Sequence, residues 1–149
     1  MEKDIDDKLI ALITQTVMEK LKENDIKISK RINKYGIINI KGNSVKCQPF
    51  DTGNDNNQVF LKDIVTIDES PNLMCGFMEM KESCFPWTLK YDEVDYIIEG
   101  TLEIIIDDEK IVGNEGDVIF IPQNSEIKFS TPTYVRFFYV TYPANWSEL

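Results

Sequence analysis

Hydrophobic and polar positions change rhythm along this chain, and the change divides it. Over residues 4–23 the apolar positions follow a helical spacing. Ile5, Leu9, Ile13, Val17 and Leu21 fall at every fourth residue, and Ile10, Leu12 and Met18 widen the stripe. Asp4, Lys8, Gln15 and Lys22 take the other side, so the pattern predicts an amphipathic helix. Asp4, Asp6 and Asp7 lie in its first turns and Lys20 and Lys22 in its last, the order a helix dipole favours, with Asn24-Asp25 as a stop. A connector follows over 25–58, with one extended segment at Gly36–Ile40 and a polar, turn-rich loop from Asp51 to Asn57. Beyond it the chain turns to short β-rich runs: Val59–Ile67, Leu73–Met80, Val94–Ile98, Leu102–Ile106, Val118–Ile121, Glu126–Ser130 and Tyr134–Tyr142. Gly100 reads as a tight hairpin between two of them, and Asp107–Lys110 as the next turn. Many short strands at even spacing indicate a mainly β barrel or sandwich. The expected organisation is thus a helix over 1–24, a connector with early strands over 25–58, and a barrel over 59–149.

Composition narrows the partners. At 149 residues the chain makes one compact domain, and its net charge of -10 disfavours nucleic acid and anionic lipid as partners. No run of 18 apolar residues is present to span a membrane, and the start Met1-Glu2-Lys3-Asp4 has no secretory signal pattern. Cys47, Cys75 and Cys84 are odd in number and show no C-x-x-C spacing, so they read as reduced packing groups of a cytosolic protein.

Two stretches carry the chemistry. Glu93 is followed by six residues and Gly100, and Gly116 by five residues and Pro122. This spacing resembles the paired signature of the cupin superfamily, a jelly-roll barrel (double-stranded β-helix) that usually holds a divalent ion on three histidines and a glutamate. This chain has no histidine. The positions of the paired histidines fall on Pro86 and Thr88, or on Trp87 and Leu89, and that of the third on Ile127. Asn124 stands where a glycine is usual. A transition-metal site needs three or more converging donors, so Glu93 alone cannot form one, and the usual oxygenase or isomerase chemistry is excluded.

Strand alternation indicates what replaces that site. If Glu93 faces inward, Asp95, Ile97 and Glu99 share its side, while Val94, Tyr96 and Ile98 face the other way. Acids enclosed together repel, so one is protonated near neutral pH or the group holds a cation, and oxygen donors suit Mg²⁺. The alternative is that Asp95 and Glu99 mark a solvated barrel mouth. Trp87 falls where a ligand histidine would have been and is the best aromatic pocket candidate, with Tyr96 and Tyr139 as further ones. Phe137 and Phe138 read as core. Lys90, Lys128 and Arg136 are the bases near these segments, and an anionic substrate would need at least one of them.

Taken together, Phe85–Leu102, Gly116–Ser125 and Tyr134–Trp146 closely resemble the EutQ family, the cupin-type proteins of bacterial ethanolamine utilization. The F-P-W-T-L, Y-D-E-x-D-Y and Y-P-x-N-W segments carry the likeness over residues 45–149. The resemblance implies a homodimeric barrel in the bacterial cytoplasm, associated with a protein-shelled microcompartment, and an acetate kinase activity between ATP and acetate. Residues 5–21 resemble the short helices that carry enzymes to such shells, docking on a shell or cargo protein. The alternative is that this helix packs on its own barrel or at a dimer interface. No G-x-x-x-x-G-K-[ST] loop is present to cradle phosphates. A kinase reading therefore places Glu93 and Asp95 on Mg²⁺ accompanying ATP, with Lys128 or Arg136 on the phosphates. A competing reading is a non-catalytic pocket that binds a small metabolite, such as an ammonium ligand, or organises the compartment.

Overall fold

A computed structural model of the chain describes residues 3–23 and 28–149, with the helix's side chains described over 8–18 only. The first element is the expected helix, α1 (Lys3–Glu23). Its stop at Asn24-Asp25 lies outside the described residues. Leu9, Ile10, Leu12, Ile13, Val17 and Met18 are all about half exposed or more, so this stretch of the stripe is not buried on the chain's own barrel.

The connector contributes more strand than its pattern suggests. β1 (Lys30–Ile32) pairs antiparallel with β2 (Ile38–Ile40), and Gly36, at φ 81°, closes the turn between them. β3 (Gln48–Pro49) then begins a seven-stranded antiparallel sheet with β4 (Gln58–Asp63), β5 (Met74–Thr88), β6 (Asp92–Ile106), β7 (Glu109–Asn114), β8 (Val118–Ile121) and β9 (Glu126–Tyr142). The order is β3-β4-β5-β9-β6-β7, with β8 also on β6. Inward residues of β4, β5, β6, β8 and β9 meet in one cluster that includes Val59, Met80, Phe85, Ile97, Leu102, Ile119, Val135 and Phe137, so the sheet is rolled around a single core.

Three strands are longer than expected. The runs at Val94–Ile98 and Leu102–Ile106 are one strand, β6, and those at Glu126–Ser130 and Tyr134–Tyr142 are one strand, β9. Gly100 is therefore not a hairpin. It sits inside β6 at φ 81°, between two register shifts against β9. β5 shifts register at Lys81/Ser83, where Glu82 has φ 43°, opposite the Pro132 region of β9. Such irregularities let a long strand turn a corner and serve both sides of a rolled sheet. Strand-breaking residues in the sequence mark bends here, not ends. The run at Val59–Ile67 errs the other way, because pairing stops at Asp63.

Gly100 is also a contact point. A Cβ there would overlap the backbone carbonyl of Tyr134 on β9, and backbone cannot move aside as a side chain can. Gly100→Ala combines that overlap with a left-handed φ and is expected to cost about 3 kcal/mol or more in unfolding free energy, read by urea denaturation. A loss under about 1 kcal/mol would show that this corner is not constrained as described.

Candidate functional site

Strand β6 alternates cleanly at its start: Asp92, Val94 and Tyr96 are exposed while Glu93, Asp95 and Ile97 are buried. Pairing fixes their neighbours. Glu93 lies opposite Thr141 on β9 and Ile121 on β8, and Asp95 lies opposite Tyr139 and Ile119. Tyr139 in turn lies opposite Gly76 on β5, where any Cβ would collide with its ring and hydroxyl. That missing side chain lets the Tyr139 hydroxyl reach Asp63 on β4 and donate to its Oδ1 at 2.6 Å. The Trp146 indole N–H donates to the same oxygen at 3.4 Å, which draws the C-terminal segment over the barrel end.

Rings wall the rest of the space. The Trp87 indole N–H donates to the Tyr91 hydroxyl at 2.8 Å. Phe50 meets Trp87 edge-on with centroids 5.6 Å apart, and Trp146 lies 5.9 Å from Tyr91 and 6.4 Å from Trp87. Together with Glu93, Tyr139 and Thr141 they line a cavity of about 330 Å³ measured to its open mouth, and no Lys or Arg lines it. That figure includes open space at the mouth, so the enclosed part is small, with room for a few heavy atoms and not for a nucleotide.

Its charge is unusual. Glu93 is 5% exposed and Asp95 is 0% exposed. Asp95 finds no donor while both acids are ionised, and Thr141 Oγ1 has no hydrogen-bond partner; a retained proton lets Glu93 and Asp95 hydrogen-bond each other. Burial pushes Glu93 up to about 7. Asp95 is held well above the usual carboxyl range, first by burial and then by the negative charge of Glu93. Around neutral pH the two behave as a pair that gives up its protons stepwise, since both cannot be charged side by side in a dry interior. The hydroxyls of Tyr91 and Tyr139 are also raised, chiefly by burial, and stay protonated.

Trp87, Glu93 and Tyr139 therefore share one cavity, with Asp95 on the same inner face two residues from Glu93. Other expected residues lie elsewhere. Tyr96 and Lys128 point outward by alternation, and Glu99, past the corner at Ile97/Glu99, is exposed and not inside with Glu93. Arg136 lies on the outer face, paired with Glu79, donating to the Gly42 carbonyl and stacked 4.8 Å over Phe77. Neither base reaches this cavity. Cys84 is exposed rather than a packing group, while Cys47 and Cys75 are partly buried. Sequence reasoning missed Phe50, Tyr91, Thr141 and Trp146. Thr141 was within reach, two positions from Tyr139 on one strand. Phe50 carries no local signal.

The cupin metal positions can now be placed. Pro86 and Thr88 face out, so Trp87, Leu89, Glu93 and Ile127 occupy the inward places. One carboxylate among a ring and two aliphatic groups is not a donor set for a transition metal. Mg²⁺ fares little better: it needs six oxygens and keeps its waters, and Asp95 has no solvent contact. Among the described residues no three acid, cysteine or histidine side chains converge on a common point.

Comparison with known proteins agrees with this geometry. A family model described as ethanolamine utilisation protein EutQ matches residues 1–148. A protein of Clostridioides difficile strain 630 named acetate kinase EutQ is 49% identical, over 97% of this chain and 96% of that protein. The solved structure of the Clostridium difficile EutQ protein superposes with a TM-score of 0.78 at 51% identity, covering 80% of this chain and 90% of the other. A cupin superfamily protein from Desulfitobacterium hafniense DCB-2 shares the fold at 15% identity and a TM-score of 0.54, over 68% of this chain and 86% of the other. The barrel is thus of the cupin type.

The acid pair makes stability depend on pH in a definite direction. Both groups have folded-state pKa values above their ordinary values of 3.8 and 4.5. Their contribution is fully present below those values and is lost as pH rises through about 7 and beyond, because the unfolded chain gives up its protons first. The double variant Glu93→Gln/Asp95→Asn is expected to flatten this fall, gaining on the wild type by about 3 kcal/mol or more between pH 4 and pH 7.5. Chemical denaturation across that range checks it. A gap that stays constant with pH would mean that the acids are not protonated when folded.

Proposed function

The chain belongs to the EutQ family of ethanolamine utilisation proteins, and on that premise we propose that it is an acetate kinase, moving the terminal phosphoryl group of ATP to acetate. The observation that carries this is the 49% identity, over almost the whole of both chains, with a protein named acetate kinase EutQ. The cavity takes the acetate side of the reaction. Its size fits a two-carbon acid, and the rings of Phe50, Trp87 and Trp146 receive a methyl group. With no base in the wall, acetate's charge is met by the protonated Glu93 carboxyl, with Asp95 behind it, and by the Thr141 hydroxyl, each of the two lining groups able to donate to a carboxylate. The acetate oxygen turned to the mouth attacks the γ-phosphorus as the bond to ADP breaks. ATP approaches from outside the barrel, its phosphates neutralised by the Mg²⁺ it carries.

Two further parts of this reading concern assembly in the bacterial cytoplasm. The outer face of β6, β8 and β9 sets Val94 and Tyr96 beside Phe120 and Val118, with Tyr142 at the end, all 39–62% exposed. A second copy covers this face in a homodimer. Helix α1 keeps the apolar stripe of Leu9, Ile13 and Val17 about half exposed and docks it on a shell or cargo protein of a microcompartment.

Glu93→Ala is expected to lower kcat/KM for acetate by at least about tenfold, measured with highly purified protein by trapping acetyl phosphate as the hydroxamate. Full activity in that variant would remove Glu93 from the reaction. Deletion of residues 1–23 is expected to leave a folded barrel by circular dichroism that no longer co-purifies with shells. Unfolding of the truncated chain would return the helix to a structural role.

A further inference from the structure

The cavity holds polar groups that its own walls leave unanswered. Glu93 lines it, Asp95 stands two residues along on the same inner face, and no Lys or Arg is among the lining residues. Thr141 lines it as well. It is 1% exposed, and its Oγ1 has no hydrogen-bond partner in the protein. The same cavity is lined by the rings of Phe50, Trp87, Tyr91 and Trp146, which pack edge-on against one another and whose faces carry negative charge density.

We propose that this cavity is also a binding site for a small organic ammonium ion, held by the Glu93 carboxylate, the Thr141 hydroxyl and the faces of the surrounding rings. A primary ammonium carries three N–H donors on one charged centre. Glu93 accepts one and Thr141 Oγ1 another, while the rings stabilise the charge and pack against the carbon chain. The enclosed part of the cavity, inside its open mouth, is small enough to limit the ligand to a few heavy atoms.

The acid pair gives this binding a signature. An ammonium ion favours the ionised pair, so its entry expels a proton. The other titratable groups around the pair, among the described residues, include Tyr91 on the turn before β6, Tyr139 on β9 and Asp63 on β4. The tyrosines are held protonated by burial, and Asp63 already accepts from Tyr139 and Trp146. The proton lost is therefore that of Glu93 and Asp95. A carboxylate ligand needs the same pair protonated, so ammonium and acetate exclude each other from one cavity. The ammonium site itself requires no phosphoryl chemistry and is tested apart from it.

The test is isothermal titration of the full chain with ethylammonium chloride at pH 7.5, in two buffers of different ionisation enthalpy and at constant ionic strength set by potassium chloride. Ethanol serves as the uncharged isostere. The expected result is saturable binding of ethylammonium, none of ethanol, and heats that differ between buffers in the sense of proton release. Glu93→Gln is expected to weaken binding at least about tenfold, and Trp146→Leu at the mouth to weaken it severalfold while leaving the proton release in place. Absence of saturable heat, ethanol binding as well as ethylammonium, or undiminished binding in folded Glu93→Gln would overturn the proposal. Should Glu93→Gln fail to fold, unchanged affinity in Trp146→Leu would overturn it instead. Ethylammonium binding to a protein that makes no acetyl phosphate would uphold this site and sink the kinase reading alone.

Discussion

Two carboxyl groups enclosed on one face of one strand, with no base to meet them, set the character of this protein. The alternation of β6 leaves no choice: once Ile97 is committed to the core, Asp95 and Glu93 must follow it inward. Enclosing even one isolated carboxylate is prohibitive compared with the few kcal/mol a domain has to spare, so the pair retains protons instead. A retained proton changes what the cavity is. Neutral acids can donate hydrogen bonds as well as accept them, and one change of protonation reverses the sign of ligand the pocket favours.

The rest of the site follows from accommodating that pair. Gly76 leaves room for Tyr139, whose hydroxyl is drawn to Asp63 and thus away from Asp95. Asp63 is satisfied from two sides, by Tyr139 and Trp146, while Asp95 is satisfied by neither. The same barrel therefore holds one acid with a structural role and two that have only each other and a retained proton. Rings close the space over the latter. Trp87 is fixed by Tyr91, and Trp146 by Asp63, so the wall is held by hydrogen bonds at its rim as well as by packing.

Much of this was legible from sequence, and the misses have physical causes. The period-two run through Glu93, Asp95 and Ile97 marks the inward face, because alternation is enforced wherever one face is buried, and the same alternation turns Tyr96 out, against its choice as a pocket ring. It failed past Ile97, since the shift at Ile97/Glu99 breaks the phase and turns Glu99 out. Gly100 read as a hairpin, and the runs at Glu126–Ser130 and Tyr134–Tyr142 as two strands, because local propensity records the disruption but not the pairing that spans it. Lys128 and Arg136 lay near the motif in sequence, yet strand parity put them on the outer face. Phe50 and Trp146 could not have been found, since they reach the cavity from segments with no periodic signal, positioned by contacts far apart in the chain.

A barrel selected only for stability would not place these residues here. Replacing a buried polar pair by aliphatic side chains of similar volume is commonly neutral or stabilising, and Ile119 and Ile121 beside them show how readily the interior takes such groups. The buried acid pair, and the unpartnered hydroxyl of Thr141 in the cavity wall, are thus a standing cost in an otherwise apolar core. Polar groups that destabilise a fold and converge on a cavity are the mark of a site awaiting a ligand. In this barrel that mark falls on the strand which, in a histidine-bearing cupin, would supply the glutamate to a metal. The donors that define that metal site are gone, and in the function proposed above the acid pair's proton takes over the task of selecting the ligand.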